Sequence, residues 1–281
     1  MRGKLPQLAS GPKTNADVAH RPFANWMRPD TAGAVIQHHR DMQTPLYRTG
    51  SIVLAMWLAA TLLPVFGGVA RAQVPPSQAE AAAYVGLHAA AWRGDLAAIE
   101  GAVRSGSKAA LEARDAQGRT PLHVATFAKQ RAAVKALLAA GANHAALESG
   151  RYDAVTIASV ADDEETLAIL LAGGANAKLI TSRYDGTALI AAAHLGHDGV
   201  VRQLIGAGAP LDHVNNLHWT ALIESIVLGN GGARHQATLK ALLDAGASTK
   251  LTDREGRTPL QLARGRGYAA MVKMLEAVGA K

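Results

Sequence analysis

Over the last two thirds of the chain, short apolar stretches with helical spacing alternate with polar turns that contain glycine. In residues 115–148, a turn is followed by Thr120 and Pro121, which are typical of the first positions of a helix. A second apolar stretch that includes Leu137 follows, and Gly141 lies where a left-handed residue ends a helix. The pattern predicts two short helices, and neither is large enough to form a core alone.

This pattern recurs with two landmarks at a nearly constant distance. The dipeptide Gly-Ala recurs with spacings of 33, 34, 38 and 33 residues. A second landmark, Thr followed by Pro or Ala and then Leu, precedes four of these dipeptides. Two landmarks that keep one period indicate a tandem repeat. The dipeptides begin at Gly141, Gly174, Gly208, Gly246 and Gly279, and the second landmark begins at Thr120, Thr187, Thr220 and Thr258.

A period of 33 residues, together with the motif Thr120-Pro121-Leu122-His123-Val124-Ala125, resembles the ankyrin repeat. The resemblance covers the chain from about residue 84 to its end. It implies an all-α solenoid of about six stacked helix–turn–helix units with β-hairpin loops. It also implies that the concave surface, formed by hairpin tips and inner helices, binds another protein. The predicted ankyrin repeat domain is 84–281, and its repeats are 84–114, 115–148, 149–180, 181–214, 215–252 and 253–281.

The region before the repeats contains an uncharged apolar stretch, residues 51–66. Arg48 precedes it, and it is followed by a cleavage site with small residues, Ala70-Arg71-Ala72, which is the order found in secretory signal peptides. The stretch is shorter than the about 20 residues that a membrane span needs. We therefore predict a signal peptide over 42–72 with cleavage before Gln73, and a periplasmic or secreted chain that is free of the membrane after cleavage. A membrane anchor formed by an uncleaved signal is the alternative.

Two shorter segments flank the predicted signal peptide. Residues 1–41 are polar and aperiodic, and Met42 begins an ordinary positive flank, so we interpret 1–41 as a disordered extension or a mis-annotated start. Its few acidic residues also fit an organellar transit segment. Residues 73–83 are predicted to be a linker and N-terminal cap, in which Ser77 and Glu80 form a capping box.

Composition and charge narrow the partner class. The 281 residues are 49% apolar but only 4% aromatic, which favours closely packed helices, and they include no cysteine. The formal net charge is +7, but residues 1–72 contain eight of the 29 Lys and Arg and only three of the 22 Asp and Glu. The predicted repeats therefore have no basic stripe that would follow a phosphate backbone. We predict another protein as the partner, no nucleic acid, and a monomer.

A search for chemistry in the sequence favours a protein without catalytic, metal or cofactor sites. Among 11 histidines, His123 belongs to the repeat motif, and His194 and His197 flank Gly196 at a predicted turn between helices. No zinc motif, nucleophile elbow or phosphate-binding loop occurs. A hydrolase with a site that the sequence does not reveal is a minor alternative.

Two identical tripeptides supply the first candidate contacts with a partner. Arg151-Tyr152-Asp153 and Arg183-Tyr184-Asp185 each precede a predicted helix pair, where an ankyrin protein has its hairpin. Tyr and Arg are enriched among the residues that dominate binding energy. The contacts predicted here are Arg151, Tyr152, Arg183 and Tyr184; the alternative is that Arg and Asp pair locally while Tyr covers the next repeat.

The repeat 215–252 supplies the remaining candidates. Its hairpin contains Asn216, His218 and Trp219, and Glu224 in the following helix is predicted to point into the concave groove. Trp219 is predicted either to stand exposed as an anchor or to cover the apolar seam of the stack. The same repeat has an insertion of about five residues, expected on the surface.

These features predict an exported scaffold that binds a partner protein and regulates or protects an envelope enzyme. The alternative is a secreted effector or a toxin-neutralising, immunity-like binding protein. The acidic residues 162–165 are expected to be a solvated face or a helix start, or else a patch that faces the partner.

Overall fold

Pairs of short antiparallel helices recur along residues 73–106 and 108–281, which are the residues that the computed structural model describes. Residues 75–281 form one compact unit. A short helix α1 precedes six pairs, and a further short helix, α4, lies between the first pair and the second. The helices are α1 (Gln78–Ala83), α2 (Gly86–Arg93), α3 (Leu96–Arg104), α4 (Lys108–Leu111), α5 (Pro121–Phe127), α6 (Arg131–Ala139), α7 (Ala154–Val160), α8 (Glu164–Ala172), α9 (Ala188–Leu195), α10 (Asp198–Gly206), α11 (Ala221–Val227), α12 (Ala233–Asp244), α13 (Pro259–Gly265) and α14 (Ala269–Ala277).

The first helix of each pair from α5 onward begins at a side chain that caps it. The oxygen of that side chain accepts a hydrogen bond from the amide of the third helical residue, which satisfies a donor that has no partner within the helix. Pro121 and Pro259 occupy the first position of α5 and α13, as predicted for Pro121. The capping residues are Thr120, Asp153, Thr187, Thr220 and Thr258.

The inner helices α5, α7, α9, α11 and α13 stack side by side in chain order, and the outer helices pack behind them. Small residues make this close packing possible: Ala192 and Ala193 in α9 have no exposed surface. An outer helix buries one face, as α6 does with Val134 and Leu137. The predicted all-α architecture of stacked helix pairs is confirmed. Among the described residues, the hairpin loops include one isolated bridge, between Thr181 and Gly186.

His123 joins its own repeat to the next. Its Nδ1 accepts the amide hydrogen of Thr120 at 3.1 Å, so Nε2 bears the proton and donates to the carbonyls of Ala146 at 3.0 Å and Tyr152 at 3.2 Å. Burial lowers the pKa of His123 to about 4, so the imidazole is neutral at physiological pH. The histidine of the motif therefore satisfies backbone groups of a turn.

The first helix closes the N-terminal end of the stack. Ser77 and Glu80 form the predicted capping box on α1. Glu80 also pairs with the buried guanidinium of Arg119 at 3.0 Å, and the Tyr84 hydroxyl donates to Asp115 at 2.7 Å. Polar contacts therefore fix α1 to the second repeat.

Residues 228–236 of the fifth repeat, which contain the insertion, are here called the clasp. They comprise the loop after α11 and the first turn of α12, and they connect repeats that are not neighbours. Arg234 pairs with Asp162 of the third repeat at 2.8 Å, and His235 Nε2 donates to the carbonyl of His194 in the fourth repeat at 2.9 Å. The Tyr268 hydroxyl of the sixth repeat donates to the carbonyl of Gly229 at 2.8 Å. Four successive repeats are thus connected through the clasp.

Candidate protein-binding surface

Five turns of one design, which we call fingers 1 to 5, precede the inner helices. In each finger a side-chain oxygen of the first residue accepts backbone amides from the third and fifth residues; Asp115 Oδ1, for example, accepts from Gln117 at 2.9 Å and Arg119 at 2.8 Å. Because the first side chain binds the amides of the third and fifth residues, every finger has the same length of five residues. The fingers are residues 115–119, 148–152, 182–186, 215–219 and 253–257, and their first residues are Asp115, Glu148, Ser182, Asn215 and Asp253.

Hydrogen bonds connect each finger to the next. The Ser149 amide donates to the Gln117 carbonyl at 2.9 Å, and the Asn216 amide donates to the Tyr184 carbonyl at 2.9 Å. Between fingers 2 and 3, the Ser182 amide donates to a backbone carbonyl at 2.8 Å. The fingers therefore form one continuous surface.

The fourth residue of every finger has a positive φ, which is a conformation that favours glycine. Fingers 1 and 5 have glycine there, with φ of 71° at Gly118 and 74° at Gly256. The three middle fingers instead have Arg151 (66°), Asp185 (51°) and His218 (64°). A side chain in this conformation costs stability, and such residues concentrate at functional sites.

The two identical tripeptides each precede an inner helix, as predicted, but they lie in different positions of their fingers. Arg151 is the fourth residue of finger 2, whereas Arg183 is the second residue of finger 3. As a consequence Asp153 caps α7, while Asp185 lies at the tip of its finger. Tyr152 is only 2% exposed, which agrees with the alternative that it packs within the chain and does not contact a partner.

The offset brings Arg151 and Asp185 to the same position in neighbouring fingers. Their side chains pair across the fingers, Nη1 to Oδ1 at 3.1 Å, and both are about half exposed. The predicted contact residues Arg183 and Tyr184 are exposed and half-buried respectively. These three predicted contacts, Arg151, Arg183 and Tyr184, are therefore accessible on the finger surface.

Finger 4 divides the other predicted residues into two groups. Asn216 and His218 are exposed. Trp219 is 9% exposed, which agrees with the alternative that it covers the apolar seam of the stack. Glu224 is 5% exposed, so its side chain offers little surface to a partner. Glu224 is held from two sides, because the Asn215 amide donates to it at 2.8 Å and His194 Nδ1 lies 3.4 Å from its other oxygen. It therefore anchors finger 4 and does not point into an open groove.

The structure adds Arg254 and two apolar residues to the surface. Arg254 is the second residue of finger 5, and its guanidinium donates to the carbonyl of Asn216 in finger 4 at 3.0 Å. Ile180 and Val214, which precede fingers 3 and 4, are 49% and 42% exposed. Arg254 and Arg183 both occupy the second position of their fingers, and this equivalence could have predicted from the sequence that Arg254 is a contact residue.

The acidic residues 162–165 have partners within the chain. Asp163 caps α8 and pairs with Arg131 at 3.1 Å, and Glu165 pairs with the same guanidinium at 2.8 Å. The prediction of a helix start that accepts negative charge is confirmed for Asp163 and Glu165.

Two further properties concern the described residues alone. No helix within them has both the length and the apolar character to cross a membrane. No group of three or more potential ligands among those residues is placed to hold a metal ion. The predicted signal peptide and the residues before it lie outside the described part of the chain.

Comparison with known proteins identifies the repeat. Residues 155–248 match the family profile of ankyrin repeats in three copies, and residues 117–149 match that of a single ankyrin repeat. The ankyrin repeat protein YahD of Escherichia coli (strain K12) is 34% identical over 192 residues, which are 68% of this chain and 94% of the relative.

Two solved structures are similar over the same part of the chain. An ankyrin repeat domain from Acinetobacter baumannii AYE is 44% identical with a TM-score of 0.65, covering 69% of this chain and 98% of that domain. The second is described as the predatory endopeptidase Bd0816 of Bdellovibrio bacteriovorus in complex with immunity protein Bd3460. It is 27% identical with a TM-score of 0.58, covering 69% of this chain and 98% of the matched chain.

Proposed function

Since this chain belongs to the ankyrin-repeat family, we propose that it is an exported scaffold that binds a partner protein through fingers 1 to 5 and the helices behind them. Ankyrin repeats are protein-binding units, and proteins of this family are generally non-catalytic. We further propose that the partner is an envelope enzyme which the scaffold regulates or protects. Export rests on the sequence of residues 42–72, where the pattern of charge, apolar core and small residues is typical of a cleaved signal.

The observation that supports this proposal most directly is the conformation of the three middle fingertips. Arg151, Asp185 and His218 occupy a position that glycine would fill with less strain. A sequence selected for stability alone would have glycine there, as fingers 1 and 5 do. These side chains lower the stability of the fold, and they lie on an exposed and continuous surface. Their presence therefore supports a role in contacting a partner.

Affinity capture would test the proposal. The full chain with a C-terminal tag is expressed in its natural host, and proteins retained from the envelope fraction are identified by mass spectrometry. We expect a partner that is lost with Arg183→Ala/His218→Ala but retained with the control Lys135→Ala/Lys273→Ala, whose lysines are exposed on outer helices. Retention by both variants would refute the finger surface, and the absence of any partner would refute the scaffold proposal.

An immunity-like role is the second candidate, and the similarity to the endopeptidase–immunity complex supports it. In this role the partner would be a harmful enzyme of the same cell. Expression of neighbouring genes for secreted hydrolases, with and without this chain, would distinguish the two. Growth that depends on the chain only when a hydrolase is present favours immunity, whereas stable recovery of an active envelope enzyme favours protection.

A further inference from the structure

At least one positively charged or hydrogen-donating side chain is exposed at or directly before every finger. Arg114 immediately precedes finger 1, and its guanidinium donates to the carbonyls of Gly118 and Leu147. In finger 2, Arg151 is paired with the carboxylate of Asp185. The row then continues through fingers 3, 4 and 5 with Arg183, His218 and Arg254, all exposed.

The carboxylates of the same surface are already engaged. Asp253 and Glu255 both pair with Arg257, at 2.6 and 2.9 Å. Burial raises the pKa of Glu148, which accepts backbone amides of its own finger. In contrast, Arg183 forms no ion pair with any residue of 73–106 or 108–281. Arg183 and Arg254 are therefore the cations of fingers 3 to 5 that no carboxylate of these fingers neutralises, and their guanidinium groups suit a partner that supplies carboxylates.

The separation between fingers sets the spacing that the carboxylates need. Each finger consists of two backbone segments, and segments joined by hydrogen bonds lie about 4.8 Å apart, so successive fingers are about 10 Å apart. The inner helices behind them agree, since packed helices have axes about 8–10 Å apart. A polyproline II segment has three residues per turn and rises about 3.1 Å per residue, so every third side chain returns to the same face after about 9.3 Å.

We propose that fingers 3 to 5 bind an extended, polyproline II-like segment of the partner protein with an acidic residue at every third position. Arg183 and Arg254 both occupy the second position of their fingers, two fingers apart, and contact carboxylates that are six residues apart along the segment. The carboxylate between them faces finger 4, in which His218 occupies the fourth position. This inference rests on the proposed function, because it specifies the part of the partner that the scaffold binds.

The residues beside the row fit the positions between the acids. Ile180 and Val214 are exposed, and they lie two residues before finger 3 and one residue before finger 4 respectively. They offer apolar surface to proline or other apolar residues that alternate with the acids. Polyproline II segments bind with a small entropic cost because they are already extended before binding.

The test uses synthetic peptides and the full chain. Two blocked twelve-residue peptides of identical composition are compared by fluorescence anisotropy at low salt: one repeats Glu-Pro-Pro four times, and the other has its four glutamates contiguous between prolines. We expect the regularly spaced peptide to bind at least about tenfold more tightly, and its affinity to fall as salt is raised. Arg183→Ala and Arg254→Ala should each weaken it about fivefold, whereas the control Lys273→Ala on α14 should leave it unchanged.

Equal affinity for the two peptides, or no binding of either at millimolar concentration, would overturn the inference. So would tighter binding of a single-stranded oligothymidylate, because the row would then recognise phosphates. Circular dichroism of each variant confirms that the helices are intact. If the chain captures a partner from envelope proteins but ignores the spaced peptide, only this inference fails, and the proposed function stands.

Discussion

The conformation of His218 predicts that removing its side chain stabilises the protein. At φ of 64° the residue is in the left-handed region, and its side chain is exposed. A Cβ atom in that region costs about 1–2 kcal/mol. Glycine avoids this cost but adds conformational entropy to the unfolded chain, worth about 0.5–1 kcal/mol. We therefore expect His218→Gly to raise the free energy of unfolding by about 0.5–1 kcal/mol.

The equivalent position in finger 5 provides the reverse experiment. Gly256 has φ of 74°, and a Cβ atom added there would meet no atom within 4 Å. Gly256→Ala therefore adds backbone strain without a steric clash, and should lower the free energy of unfolding by a similar amount. His218→Ala keeps the strained backbone while shortening the side chain, so its stability should be unchanged.

Urea denaturation followed by far-ultraviolet circular dichroism measures these differences, and thermal midpoints should move by about 2–4 °C per kcal/mol. In the peptide assay, His218→Gly and His218→Ala should bind equally poorly, although only the first is stabilised. The reasoning is refuted if His218→Gly destabilises the protein, or if Gly256→Ala has no effect. Either result would mean that φ at the fingertip does not determine stability.

Three further predictions follow from the structure. Because burial lowers the pKa of His123 to about 4, its neutral form stabilises the fold above the ordinary histidine pKa of about 6.5, and up to about 3 kcal/mol is lost as the pH falls from there to 4. The control is His123→Gln, because Gln261 fills the equivalent position in the capping box of α13 and does not titrate. Between pH 7 and pH 4, the free energy of unfolding measured by urea denaturation should fall less in this variant than in the unmodified protein. A double-mutant cycle of Arg234→Ala and Asp162→Ala should give a coupling of about 0.5 kcal/mol that decreases in high salt. Mass spectrometry of the exported chain should find Gln73 as its first residue, and detection of the uncleaved chain in the membrane would favour the anchor.

Much of the fold was predictable because residues within each repeat determine where its helices begin and end. Thr120 and Pro121 start a helix, Gly141 ends one, and the period of 33 residues fixes how the pairs recur. The repeat 149–180 lacks the Thr-Pro start, yet Asp153 caps α7 equally well, because a carboxylate accepts the same amide. Local hydrogen-bond chemistry explains why a degenerate repeat still has the common structure.

The finger surface was predictable in location but not in detail. Finger 3 closes around Ser182 and finger 2 around Glu148, so the Asp or Asn that marks the other turns is absent. Without that marker, the sequence does not distinguish the positions of the tripeptides that start at Arg151 and Arg183, and it does not decide whether Tyr152 is exposed or buried. The pairing of Arg234 with Asp162 spans 72 residues, and no local pattern predicts a contact between repeats that are not neighbours.

The clasp also bears on how this array can change in length over generations. Tandem arrays normally grow or shrink by duplication or deletion of whole units, because a unit contacts only those on either side. Here Arg234 extends over the intervening unit to Asp162, and removing or doubling residues 181–214 would leave both partners unmatched. Gain or loss of a unit in the middle of the array therefore also breaks this pair, whereas gain or loss of a unit at either end leaves it intact.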